Sequence, residues 1–130
     1  MKLKNKAPKT TTYLREDRIL FTCDLFGSHL ATSDIFVTDE STVYEVAKRY
    51  YAKIMMPFRR VIKSNLEKIK DLKIEIIAPS HGPVYNNSDF IPNAYREWIS
   101  DEVKNEVVIP YISMHRSTKK NGGLLRRCFD

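Results

Sequence analysis

The sequence predicts an α/β fold, and three observations carry that prediction. Two short β-prone segments stand together in residues 12–23, two amphipathic helical stripes follow over residues 42–71, and a β-rich run, Lys73–Ala78, comes next. The 130 residues are 42% hydrophobic and 29% charged, the balance of a globular chain able to bury one core.

Taken in order, β-branched and aromatic residues flank Glu16-Asp17-Arg18, which predicts a β-hairpin. Its second arm, Ile19-Leu20-Phe21, runs through Thr22-Cys23-Asp24 into a glycine-containing loop, Leu25 to His29, and Cys23 is expected to be a small buried hydrophobe of that arm. From Ser41, expected to cap, Val43, Val46, Ala47, Tyr50, Tyr51 and Ile54 recur at helical spacing. Pro57 lacks a backbone donor, so a kink or a fresh helix is expected there. Val61, Ile62, Leu66, Ile69 and Leu72 form the second stripe, and Tyr50, Met55, Met56 and Phe58 are expected to pack the core. Pro79-Ser80-His81-Gly82-Pro83 stops the next β run, which puts His81 at a strand's carboxyl end. Residues 84–87 read as loop, and Ser88–Glu102 reads as a helix with Ile91, Tyr95, Trp98 and Ile99 on one face. Glu106–Ile112 reads as a strand whose Pro110 suits an end or an edge.

The net charge of +6 is concentrated at the ends. Residues 1–9 hold four lysines, residues 116–130 hold five cations against Asp130, and residues 10–115 sum to −2. That distribution predicts solvated ends, with no specific nucleic-acid partner. No run of 18 apolar residues and no secretory signal is present, so no membrane partner and a cytoplasmic location are expected. Cys23 and Cys128 form no CxxC motif and argue against a disulfide framework.

Chemistry is confined by the scarcity of histidine, since His29, His81 and His115 are the complete set. Asp24 follows one strand and His81 another. A carboxylate can bridge two metal ions while an imidazole completes one of them, and strand ends hold such groups rigidly. A turn-forming Asp and a loop histidine account for the same two residues without metal.

The runs CDLFGSH (residues 23–29), YYAKIMMPF (50–58) and IIAPSHGPVY (76–85) resemble those of flavodiiron proteins. The resemblance implies a partial metallo-β-lactamase-like αβ/βα sandwich, its C-terminal half, followed by the first strand of a flavodoxin-like domain. The implied division is a basic, disordered start at 1–11, lactamase-like sequence at 12–104, a flavodoxin-like start at 105–120 and a divergent tail at 121–130. Two iron ions and FMN are the implied cofactors, and reduction of O2 to water, of NO to N2O, or of both is the implied activity. Asp24 and His81 occupy the places of metal ligands. His29 keeps a loop position beside the irons, where it would orient a ligand or deliver a proton; a structural loop histidine is the other reading. Ser113, Met114, His115, Ser117 and Thr118 fall where the family binds FMN phosphate, with Arg116 standing where a glycine is usual. The family's H-x-E-x-D cluster has no counterpart in this sequence, so the resemblance implies an incomplete centre and an inactive isolated chain. A head-to-tail homodimer and a rubredoxin-like or flavin reductase electron donor are its implied partners. Two other readings remain: a fragment of a metal-dependent hydrolase, and a noncatalytic remnant that self-associates through uncovered faces.

Overall fold

The computed structural model describes residues 11–102. It contains the expected hairpin: β1 (Thr12–Leu14) pairs antiparallel with β2 (Ile19–Cys23), with Tyr13 opposite Leu20. β3 (Ile76–Pro79) lies parallel to β2 on its other side, with Leu20 opposite Ile77, giving the order β1-β2-β3. An ion pair between Arg18 and Glu75 and a bond from the Tyr13 hydroxyl to Lys73 O (2.6 Å) tie the amino-terminal side of β3 to the hairpin.

Side chains alternate across a strand, so the register sorts these residues onto two faces. Tyr13, Leu20 and Ile77 point to one face, where Leu20 and Ile77 are fully buried among helix residues. Thr12, Leu14, Ile19, Phe21, Ile76 and Ala78 point to the other, where Leu14 is 38% and Phe21 45% exposed. Cys23 shares that exposure, so the expectation that it is buried is wrong: it falls on the same alternation as Phe21.

The helical layer is α1 (Glu40–Tyr50), α2 (Arg59–Ile69) and α3 (Phe90–Trp98). Val43, Ala47 and Tyr50 of α1, Ile62, Leu66 and Ile69 of α2, and Ile91, Ala94 and Tyr95 of α3 enter the core at the spacing of one helix face. Phe26 and Tyr95 meet edge to face at 4.9 Å, and Tyr51 and Trp98 extend the aromatic cluster. The cap of α1 is Asp39 rather than Ser41: its carboxylate accepts from the N–H groups of Ser41 and Thr42 and from the Thr42 hydroxyl. At Pro57 the chain stays helical. It passes through a π-helical turn (Tyr51–Met55) and a 3-10 turn (Met56–Phe58) in which proline takes an early position where its missing donor costs little. That passage turns Ile54, Met56 and Phe58 outward while Met55 stays buried, so Met56 and Phe58 are surface residues, contrary to expectation. Arg59 fastens α2 to the end of α3 through Ile99 O (2.7 Å) and Ser100 O (2.9 Å). Residues 84–87 are not wholly loop: Val84 bridges Phe36, and Tyr85 pairs with Ile77 through two backbone bonds. The expected strand at 106–112 lies outside the described residues.

Candidate metal centre

Because β2 and β3 are parallel neighbours, their carboxyl ends open on one edge of the sheet, the place where α/β folds collect functional loops. Asp24 leaves β2 there and His81 leaves β3. His81 Nε2 lies 3.4 Å from Asp24 Oδ1, with each side chain about half exposed. The structure thus brings together the two residues that the sequence singled out.

Their loops are joined by backbone. Ser80 N–H donates to Cys23 O (2.8 Å), and Ser28 N–H donates to His81 O (3.0 Å). The Asp24 loop is tightly wound, with Cys23 at φ 55° and Phe26 at φ 69°, left-handed conformations that cost non-glycine residues about 1 kcal/mol or more. The buried Tyr85 hydroxyl donates to Phe26 O (2.8 Å) and holds that turn. Opposite it, Gly82 has φ 84°, and a Cβ there would fall 2.1 Å from the buried Ser28 Oγ. Only glycine combines that conformation with that approach.

His29 stands on the same rim. Its ring meets Tyr50 edge to face at 4.8 Å, and its centroid lies 6.1 Å from that of His81. Tyr50 is 6.3 Å from His81 and presses on Gly27, where a Cβ would come within 3.3 Å of its ring. Burial first, then the charges of Asp24 and Cys23, push the Tyr50 phenol above its ordinary range, so it keeps its proton at neutral pH. Sequence reasoning placed Tyr50 in the core, which is correct, and missed that the same ring walls the site. Helical periodicity treats a core tyrosine and a site-lining one alike.

The separation of Asp24 and His81 bears on what they hold. At 3.4 Å the pair is looser than a charge-assisted hydrogen bond, which closes to about 2.7–2.9 Å, so neither side chain is locked to the other and the donor atoms of both face the same rim. Among the described residues no group of three His, Cys, Asp or Glu side chains is placed to hold a metal ion. The pair therefore fits one side of a metal centre and does not complete it. Ser113, Met114, His115, Ser117 and Thr118 of the expected FMN turn lie outside the described residues. No helix among the described residues is long and apolar enough to cross a membrane.

The α/β layer carries a carboxylate and an imidazole at adjacent parallel strand ends, an arrangement in keeping with a lactamase-like fold. A family model described as ODP family beta lactamase matches residues 6–82, more than half of the sequence, and the chain belongs to that family. Its relatives and structural neighbours include proteins named as flavorubredoxins, nitric oxide reductases and flavodiiron proteins. The chain is 39% identical over 114 residues to the nitric oxide reductase of Moorella thermoacetica, covering 84% of this chain and 29% of that protein. The rubredoxin oxygen:oxidoreductase of Desulfovibrio gigas superposes with a TM-score of 0.82 at 28% identity, covering 92% of this chain and 32% of the other. The flavodiiron protein of Giardia intestinalis superposes with a TM-score of 0.66 at 33% identity, covering 69% and 23%. The fold is accordingly a partial metallo-β-lactamase-like one, as the sequence predicted. The chain spans between 23% and 32% of the length of these relatives.

Proposed function

We propose that this chain supplies one side of the diiron centre of a flavodiiron oxidoreductase that reduces O2 to water, NO to N2O, or both. The observation that carries the reading is the approach of Asp24 and His81 at the carboxyl ends of two parallel strands. When bound, the two irons would hold the gas molecule and pass it electrons received from FMN. Asp24, through its carboxylate, and His81, through Nε2, would be the residues of this chain that hold the ions. Tyr50, edge-on to His29, limits how that imidazole can turn. FMN would be held at Ser113, Met114, His115, Ser117 and Thr118. A head-to-tail homodimer, a rubredoxin-like or flavin reductase donor, and a cytoplasmic location complete the proposal. The oxidoreductase names of the relatives favour this reading over a hydrolase using the same pair.

The test is anaerobic addition of Fe(II) to the purified chain, followed by NMR. Weak binding that broadens the resonances of Asp24 and His81 first, and that disappears in Asp24→Ala and His81→Ala, is the expected result, with no consumption of NO or O2 by the chain alone. Broadening centred elsewhere would refute the assignment.

A further inference from the structure

Oxidisable aromatic side chains form a file through the helical layer. Tyr50 stands at the metal rim, its ring centroid 6.3 Å from that of His81. Tyr51 follows it in the chain and packs against Tyr95 (5.3 Å) and Trp98 (5.5 Å). Tyr95 and Trp98 are 5.0 Å apart, and Trp98 meets Tyr44 at 5.3 Å. Tyr44 and Trp98, the one tryptophan of the sequence, are only partly buried and form the outer end. Packing alone does not account for these residue types. The Tyr95 hydroxyl is fully buried and finds no hydrogen-bond partner among the described residues. Phenylalanine would fill the same space without burying a polar group.

The file differs along its length in what can take a proton. An oxidised phenol is a strong acid, so a tyrosine gives up an electron easily only where its proton can leave too. Tyr95 lacks an acceptor, and its burial holds the phenol above its ordinary range. At the outer end, Trp98 Nε1–H donates to Tyr44 Oη (3.1 Å), and the Tyr44 hydroxyl donates to the exposed Glu97 carboxylate (3.0 Å), within reach of direct proton transfer. Lys48 Nζ lies 5.5 Å from the centre of the Tyr44 ring. Its charge opposes a cationic ring and so favours loss of the proton.

We propose that this file carries an oxidising equivalent away from the metal rim, and that Tyr44, paired with Glu97, is where it comes to rest. The role rests on the oxygen-reducing function proposed above, which supplies the oxidant: dioxygen activated at reduced metal and left short of electrons. That oxidant gains one electron, passed through Trp98, Tyr95 or Tyr51, and Tyr50. Tyr44 is the net donor. Its phenolic proton moves to Glu97, which leaves a neutral phenoxyl and a carboxylic acid. A soluble thiolate then returns one electron to Tyr44 and becomes a thiyl radical, while the proton goes back from Glu97. Contact between successive rings matters because electron tunnelling falls exponentially with distance.

Flash photolysis of the full chain without iron tests the file separately from the metal. In a Cys128→Ser background, a ruthenium photo-oxidant is attached to Cys23, which is exposed and adjoins Asp24. Each variant is first shown to be folded by circular dichroism. After a flash with an external electron acceptor, transient absorption should show a neutral tyrosyl radical. In Tyr44→Phe that signal should be replaced by a tryptophan radical at Trp98. Glu97→Gln keeps a hydrogen-bond acceptor but removes the base, and should slow tyrosyl formation roughly a hundredfold. Trp98→Phe should abolish the tyrosyl signal. A radical that stays on Tyr50 or Tyr13 would overturn the proposal, as would a Tyr44 radical indifferent to Trp98→Phe or to Glu97→Gln. If the radical forms as described while Fe(II) fails to broaden Asp24 and His81, the file stands and the metal assignment falls; the reverse pattern sinks the file alone.

Discussion

One face of the sheet presents Tyr13, Leu20 and Ile77 to three helices; the other presents Leu14, Ile19, Phe21 and Ile76 with no helix packed over them among the described residues. The two sets are almost identical in chemistry. They differ in cover: Leu20 and Ile77 are fully buried, while Phe21, on the strand position next to Leu20, is 45% exposed. An apolar side chain stabilises a fold through the water it leaves, so equal residues on the two faces contribute unequally.

Deletion tests that inequality most directly. Ile77→Ala should cost about 3–4 kcal/mol in urea unfolding, through lost burial and the cavity left behind; a loss below about 1 kcal/mol would mean that the helices do not cover this face as described. Gly82→Ala comes next, at about 2–3 kcal/mol, because it combines a left-handed backbone with an approach to Ser28 Oγ; it should also displace His81, seen as a loss of the Fe(II)-induced broadening at that residue. Tyr85→Phe should cost about 1–2 kcal/mol by leaving the buried Phe26 carbonyl unpaired, and faster amide exchange confined to residues 24–28 would show that the bond serves the loop. Phe21→Ser, on the less covered face, should cost about 1 kcal/mol, since the ring is only partly withdrawn from water, and a cost matching that of Ile77→Ala would erase the distinction between the faces. Smallest of all is an acid effect at α1. Asp39 is held below the usual carboxylate range, first by the Thr42 hydroxyl and then by backbone N–H groups. A depressed folded-state value means stability that is present above about pH 4 and fades as pH falls through the folded value. Asp39→Asn should flatten that acid limb and lower the melt slightly at pH 7, where the stabilisation by the charged cap is fully present.

These contrasts also mark what could be read in advance. The hairpin, both helical stripes and the helix after Ser88 were legible because each carries a clear period. The facing of β2 was not, since Ile19-Leu20-Phe21 is apolar throughout and hides the alternation that exposes Phe21 and Cys23. The cap at α1 was ambiguous because Asp39 and Ser41 stand two residues apart and either side chain suits the role. At Met55-Met56-Pro57 the expectation of a kink or a fresh helix agrees with the start of a new helical element that leads into α2, but the π and 3-10 turns there rotate Met56 and Phe58 outward, a change of phase that a 3.6-residue template cannot represent. In the site, Asp24 and His81 could be found because strand ends and a family resemblance pointed to the same residues. Tyr50 could not, because its contacts with His29, Gly27 and His81 join three chain segments, and such proximity has no local sequence signal.

Under the proposed assignment, the bond from Ser28 N–H to His81 O would change what an arriving cation has to do. With the two loops already fastened by main chain, capture would require no search for a second ligand after the first had bound. A stretch of chain with so few donors would then hold its ion loosely but always in the same orientation, ready to accept the remaining ligands.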